Sequence, residues 1–188
     1  MFVPMKNILY IISSPRGEDS FSTRLGNAVI DALVKAHPDL TLKIKDLYKS
    51  PIPHIVPGTE ESIQHSDQAI AEINEADIIV IGTPLWNFGI PSVLKAWADV
   101  IVRANITFKY INGGVEGLVN GKKVYVAMAS GGIYSSGPMQ TLDFVSTYLK
   151  GVLGFIGMTD VAVFRAEGLA YPGMAEAGLQ KGIDSIVL

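Results

Sequence analysis

Residues 77–82 read Asp-Ile-Ile-Val-Ile-Gly, and this short run decides the fold class. Ile78 to Ile81 are all β-branched and leave no polar stripe, so they do not suit an amphipathic helix. They suit a strand whose two faces are both covered, as in the middle of a parallel sheet. Asn7 to Ser13 (NILYIIS) and Lys122 to Ser130 (KKVYVAMAS) read the same way. Thr41 to Leu47 (TLKIKDL) alternates apolar and charged residues and predicts an edge strand, and Thr159 to Phe164 predicts a last strand.

Helix-length segments separate these runs. Ser20 to Ala36 places Leu25, Ala28, Val29, Ala32 and Leu33 on one stripe and is stopped by His37-Pro38-Asp39. Thr59 and Ser62 offer a cap for a helix to Asn74, after the proline-rich loop Ser50 to Gly58. A helix follows Pro91 through Leu94, Trp97, Ala98 and Ile101. Pro138 to Val152 and Pro172 to Leu188 read as the last two helices. Repeated strand–helix alternation predicts an α/β domain: a parallel sheet with helices on both faces.

Composition narrows the function. The chain has 188 residues, the size of one domain, so residues 1–188 are expected to form a single unit. Apolar residues make up 48% and charged residues 18%. No apolar run approaches the roughly 18 residues of a membrane span, so no membrane insertion is expected; the excess must fill a core and an interface between subunits. Cysteine is absent, which removes disulfides, thiolate nucleophiles and iron–sulfur clusters and is compatible with a reducing compartment. The N-terminus lacks a signal-peptide pattern. The net charge of −3 is spread along the chain, with no basic block for nucleic acid. His37, His54 and His65 lack metal-ligand spacing, and no metal site is expected. Neither a hydrolase G-x-S-x-G elbow nor a phosphorylatable Asp at the end of the third strand is present, and Asn105-Ile106-Thr107 is a glycosylation sequon without a secretory context.

In an open parallel sheet, ligands bind beyond the carboxyl ends of the strands. The first such end, Ser13 to Leu25, clusters hydroxyls at a helix start, which suits a phosphate; a simple N-cap by Ser20 or Ser22 is the plainer reading. Neither the dinucleotide glycine fingerprint nor a P-loop is present, because Gly117 to Lys123 (GLVNGKK) has the wrong spacing. A monophosphate held by hydroxyls and amides fits better. The second end, Thr83 to Pro91 (TPLWNFGIP), is unusually apolar. Trp86 and Phe88 either flank a planar ring or pack on neighbouring helices. Asn87 offers a donor and an acceptor to an imide-like edge, and Gly89 with the two prolines would stiffen the loop. The third end, Ala129 to Pro138, carries Gly131 and Gly132, which either bring amides to negative charge on a ring edge or form an ordinary turn.

These segments together resemble a known family. Ser13 to Leu25, TPLWNFGIPSVLKAWADVI (83–101) with RANITFKY (103–110), SGGIYSSGP (130–138), LGFIGMTDV (153–161) and FRAEG (164–168) are similar to the FMN-dependent NADH-azoreductases, which are flavodoxin-like quinone reductases. The similarity runs from about Met5 onward and makes Met1 to Pro4 an N-terminal extension. It implies a flavodoxin-like three-layer sandwich whose five strands lie in the order 2-1-3-4-5. It also implies a cytoplasmic homodimer with FMN sites at the interface.

By the same resemblance, Ser14, Ser20, Phe21 and Ser22 would hold the FMN phosphate. Leu85, Trp86, Asn87 and Phe88 would border the ring, with Ala129, Ser130, Gly131 and Gly132 on its other edge. Trp86, Phe88 and Tyr134 would wall a slot for quinones, azo compounds or nitroaromatics, with NADH or NADPH as donor. No side chain need be an acid, base or nucleophile, because the chemistry belongs to the cofactor. Phe155 and Phe164 are candidates for contacts across the dimer. The chain departs from some members in having Ala-Ser-Gly-Gly at 129–132 instead of Ser-Arg-Gly-Gly, Tyr134 instead of His, and a shorter segment between Ser50 and Ser62. The competing readings are a flavodoxin-type electron carrier and a flavodoxin-like regulatory or ligand-binding module without turnover.

Overall fold

The computed structural model describes residues 6–188, so the expected extension, Met1 to Pro4, lies outside the described residues. The chain runs β1 (Asn7–Ile12), α1 (Phe21–Ala36), β2 (Thr41–Asp46), α2 (Glu60–Glu75), β3 (Ile78–Pro84), α3 (Ser92–Ile101), β4 (Phe108–Ile111), β5 (Gly114–Gly117), β6 (Lys123–Ala129), α4 (Phe144–Phe155), β7 (Asp160–Ala166) and α5 (Ala175–Asp184). Five parallel strands form one sheet in the order β2-β1-β3-β6-β7. Counting only those strands in sequence, this is the expected 2-1-3-4-5 arrangement.

The doubly apolar strands explain the layers. Leu9, Ile11, Ile79, Ile81, Val124 and Val126 face one way and pack with Ile73 of α2, Leu94 and Trp97 of α3, and Leu149 of α4. Ile8, Tyr10, Val80, Tyr125 and Ala127 face the other way, onto Leu25, Val29 and Leu33 of α1 and Leu179 of α5. Each strand thus contributes its alternate residues to two cores at once.

Edge strand β2 inverts the usual polarity. Lys43 and Lys45 turn toward α2, where their ammonium groups lie 3.4 and 2.8 Å from a Glu72 carboxylate that is only 5% exposed. Ile44 is 58% exposed on the opposite face. Inward-pointing charges of this kind blunt an open edge against pairing with another chain.

Three expectations are corrected. The helix expected over 138–152 starts at Phe144 and runs to Phe155. Gly137 takes a φ of +75°, a short 3₁₀ turn follows at Gln140–Leu142, and Asp143 caps the helix by accepting the Ser146 amide at 2.9 Å. A carboxylate cap outcompetes Pro138 as the start, because it satisfies an otherwise orphaned amide. The last helix spans only Ala175–Asp184, and the loop before it reaches the cavity described below. Phe164 is buried against Tyr125, with parallel rings 5.8 Å apart, so it belongs to the core and is no candidate for contact with a second subunit.

The antiparallel pair β4–β5 was not foreseen, although Asn112-Gly113 is a hairpin signal. Phe108 seats the hairpin on Phe155 of α4, ring centroids 4.6 Å apart.

Candidate functional site

The carboxyl ends of β1, β3 and β6 open on a cavity of about 420 Å³ lined by Ser14, Pro15, Arg16, Ser20, Phe21, Pro84, Leu85, Trp86, Ala129, Ser130, Gly131, Leu169 and Ala170. It lies where the strand order reverses, with β1 and β3 leading away in opposite directions. The strand ends are tied together: Ser13 donates its amide and hydroxyl to Gly82 O at 3.0 and 2.9 Å, and the Leu85 amide donates to Ala129 O at 2.7 Å.

One end of the cavity is hydroxyl-rich. Ser20 caps α1, its Oγ accepting the Thr23 amide at 3.4 Å and lying 3.0 Å from Ser22 Oγ. The first-turn amides of Phe21 and Ser22 have no acceptor among the described residues. Ser14 Oγ accepts the Arg16 amide at 3.4 Å. Arg24, Arg103 and Arg165 each pair with a carboxylate, whereas Arg16 has no such partner among the described residues. The helix N-terminus, the hydroxyls and a guanidinium unpaired among the described residues form a donor set of the kind that suits an anion.

Tyr10 supports this turn from beneath. Its hydroxyl donates to Thr23 O at 3.0 Å, and burial pushes its phenol well above the ordinary value. Gly26 makes room for it, since a Cβ there would stand 2.2 Å from the Tyr10 oxygen.

The second wall is a tight turn. Trp86 and Gly89 exchange backbone hydrogen bonds, each 2.9 Å, and the residues between them, Asn87 and Phe88, take φ of +47° and +69°. Paired positive φ values mark a turn that non-glycine residues enter at a cost. The rigidity expected from Gly89 therefore resides in Asn87 and Phe88, held left-handed by the Trp86–Gly89 bonds. Trp86 is 51% exposed at the cavity and Phe88 is also exposed. They do not pack into the helical layers. Phe88 meets the buried Tyr134 edge-on, with centroids 6.4 Å apart.

The third wall is the glycine turn. The amides of Leu169, Ala170 and Gly168 donate to the carbonyls of Ser130, Gly131 and Gly132 at 3.2, 3.0 and 3.1 Å. Ser130 Oγ also donates to Gly132 O at 2.9 Å. Close approach explains the glycines: a Cβ on Gly131 would lie 3.1 Å from Ala170 Cβ, and one on Gly132 would lie 3.2 Å from the Tyr134 ring.

Of the residues singled out from sequence, Ser14, Ser20, Phe21, Leu85, Trp86, Ala129, Ser130 and Gly131 line this cavity. Ser22 is buried behind it against Ser20, while Asn87, Phe88, Gly132 and Tyr134 stand outside its lining. Pro15, Arg16, Pro84, Leu169 and Ala170 line it without having been singled out. Leu169 and Ala170 follow the carboxyl end of β7, so the rule applied to three strand ends needed only to be applied to a fourth. Among the described residues, no group of three His, Asp or Glu side chains is arranged to hold a metal.

Comparison with known proteins agrees in extent. The profile of the flavodoxin-like fold family matches residues 6–187. An FMN-dependent NADH:quinone oxidoreductase of Beijerinckia indica subsp. indica is 40% identical over 192 residues, covering 94% of this chain and 95% of that one. Among solved structures, an azoreductase from Bacillus anthracis str. Sterne superposes with a TM-score of 0.87 at 32% identity, covering 96% of both chains. An FMN-dependent NADH-azoreductase from Bacillus anthracis str. Ames Ancestor, solved in complex with FMN, gives 0.86 at 28% identity, covering 96% of this chain and 95% of that one. With its sheet order, its cavity at the strand reversal and these full-length matches, the chain belongs to the flavodoxin-like family of FMN-dependent NADH:quinone oxidoreductases and azoreductases.

Proposed function

We propose that this single-domain chain is an FMN-dependent NADH:quinone oxidoreductase that also reduces azo compounds and nitroaromatics, with FMN seated in the 420 Å³ cavity. The observation that carries the assignment is the polarity of that cavity, with anion donors at one end and Leu85, Trp86 and a glycine turn at the other. The donor set fits FMN. Its phosphate matches the Ser14 and Ser20 hydroxyls, the free Phe21 and Ser22 amides and Arg16. Its flat ring matches the gap between Leu85–Trp86 and Ala129–Gly131, where a Cβ on Gly131 would already crowd Ala170. The volume lies within the roughly 300–1,000 Å³ usual for cofactor pockets.

FMN, when bound, supplies the ring that takes hydride from a nicotinamide and passes it on. The chain's own residues bind and orient. Ser22 holds Ser20 in its capping rotamer, and Asn87, exposed in the turn after Trp86, is the residue we assign to the pyrimidine edge. Trp86 and Phe88 offer exposed aromatic surface to donor and acceptor in turn, whereas Tyr134, expected to share this role, is buried edge-on against Phe88.

A homodimer completes the proposal. Trp86 and Phe88 beside the cavity, and Phe144 and Phe155 at the two ends of α4, are exposed apolar residues that suit contact with a second copy. Among the described residues, no helix is long and apolar enough to cross a membrane. The cytoplasm, which supplies NADH to a chain without cysteine, is the compartment we assign.

Purified protein should take up one FMN per chain, sediment as a dimer, and oxidise NADH with menadione or methyl red in parallel-line kinetics. A protein that ignores FMN, or that FMN fills without any direct reduction by NADH, would sink this reading; the second result would favour an electron carrier. Arg16→Ala should weaken FMN by about tenfold, as expected for losing one charge-assisted phosphate contact, and leave riboflavin affinity unchanged. Equal losses for both ligands in a titration of apoprotein would remove Arg16 from the phosphate site.

A further inference from the structure

Behind the glycine turn lies a polar cluster that the cofactor reading does not use. Glu167 follows β7, and its side chain is 12% exposed. Its Oε1 accepts the amides of Tyr134 and Ser135 at 2.8 and 2.9 Å, and its Oε2 accepts the Ser135 hydroxyl at 2.5 Å. Arg165 stands behind it, with Nη1 3.9 Å from Glu167 Oε1 and Nη2 2.6 Å from Asp143 Oδ2 and 3.0 Å from Ser146 Oγ.

This cluster sorts the backbone polarity of the turn. The carbonyls of Ser130, Gly131 and Gly132 are drawn toward the 168–170 amides, and the amides of Tyr134 and Ser135 are drawn toward Glu167. The amides of Gly131 and Gly132 are left without an acceptor among the described residues, and Gly131 lines the cavity. A turn with adjacent glycines has many alternative conformations, and beyond the Ser130 hydroxyl bond to Gly132 O it depends on outside contacts to choose among them. Those contacts are the 168–170 amides on its carbonyls and, on its amides, one carboxylate.

We propose that Glu167, steadied by Arg165 and Asp143, is the positioning residue of the ring-binding turn. It holds Tyr134 and Ser135 by hydrogen bonds so that the Gly131 and Gly132 amides remain presented to the ligand. It does not touch the ligand itself. The inference rests on the placement of the FMN ring proposed above. It makes reach, rather than charge, the property that matters: the carbonyl oxygen of glutamine accepts both amides as a carboxylate does, whereas aspartate keeps the charge but withdraws it by one methylene.

The test is a titration of apoprotein with FMN and with riboflavin, followed by fluorescence quenching. Glu167→Asp should weaken both ligands by the same factor, about tenfold or more for two lost hydrogen bonds, because the defect lies at the ring end. Glu167→Gln should stay within about threefold of wild type. Hydrogen exchange at the Tyr134 and Ser135 amides should quicken in the aspartate variant and stay slow in the glutamine variant. Wild-type affinity in Glu167→Asp overturns the inference, and so does a tenfold loss in Glu167→Gln. A loss for FMN alone overturns it too, since that would place the effect at the phosphate. Failure of the wild-type apoprotein to bind either ligand would instead overturn the cofactor reading, and the positioning role with it.

Discussion

Replacing Gly26 by alanine should cost the protein about 3 kcal/mol, the upper end of the usual range for overpacking, and should loosen FMN in the same variant. The added Cβ would stand 2.2 Å from the Tyr10 oxygen and within 2.9 Å of two ring carbons. Tyr10 cannot step aside, because it is buried in the sheet and its hydroxyl is spent on Thr23 O. Relief must come from α1 moving outward, and α1 carries the Ser20 cap and the free amides of the anion site. A fold defect should therefore become a binding defect. Urea unfolding and FMN titration of Gly26→Ala, Tyr10→Phe and the double variant form a cycle that measures the coupling. Tyr10→Phe alone should cost about 1 kcal/mol for one hydrogen bond. In the double variant part of the alanine's cost should vanish, because the 2.2 Å contact goes while the ring contacts stay. Strict additivity would show that the hydroxyl is not the obstacle.

Asp143→Ala should destabilise by about 3 kcal/mol, near the lower end of the range for breaking a buried pair, because the Arg165 side chain is 21% exposed and water recovers part of its loss. Three interactions go at once: the cap on the Ser146 amide, the close contact from the Ser146 hydroxyl and the bond from Arg165. The same interactions set a pH signature. Burial alone would raise the Asp143 carboxyl; the Ser146 hydroxyl and amide and the Arg165 guanidinium together outweigh it and hold the group below its ordinary value. A carboxylate depressed in the folded state contributes its full stability above the unfolded value of about 3.9, and loses it as pH falls through the lower folded value. The gap in unfolding free energy between wild type and Asp143→Ala should be constant from neutral pH to about 5 and should narrow below about 4. A gap that persists undiminished into strong acid would mean that the loss is one of packing and not of charge. Since Arg165 also stands behind Glu167, this variant should loosen the glycine turn as well.

The sheet was legible because its evidence is local. Ile78 to Ile81 is β-branched throughout, and a strand buried on both faces needs no more than that to be recognised. The hydroxyl-rich turn after β1 was legible for a similar reason, since capping chemistry is written in adjacent residues. The β2 face was not. An alternating strand suggests apolar residues inward, yet Lys43 and Lys45 turn to the α2 side, because the buried Glu72 carboxylate there draws both ammonium groups. The helix start at Phe144 was missed for want of the partners that make Asp143 a cap and an ion pair at once.

The sequence by itself determined the alternation of strands and helices, the carboxyl-end loops that border the cavity, and the family. All three follow from contacts between residues close in the chain or from motifs in a fixed order. Only the tertiary structure decided how those loops are held. Asn87 and Phe88 are left-handed because Trp86 and Gly89 bond across them. Arg16 is a candidate phosphate ligand because no carboxylate among the described residues pairs with it, while three other arginines found one. Glu167 reaches a turn more than thirty residues earlier because β7 lies beside β6 in register to the last residue, Ala166 against Ala129. Such pairings join positions far apart in sequence, and each depends on charge and space that the rest of the fold must first supply.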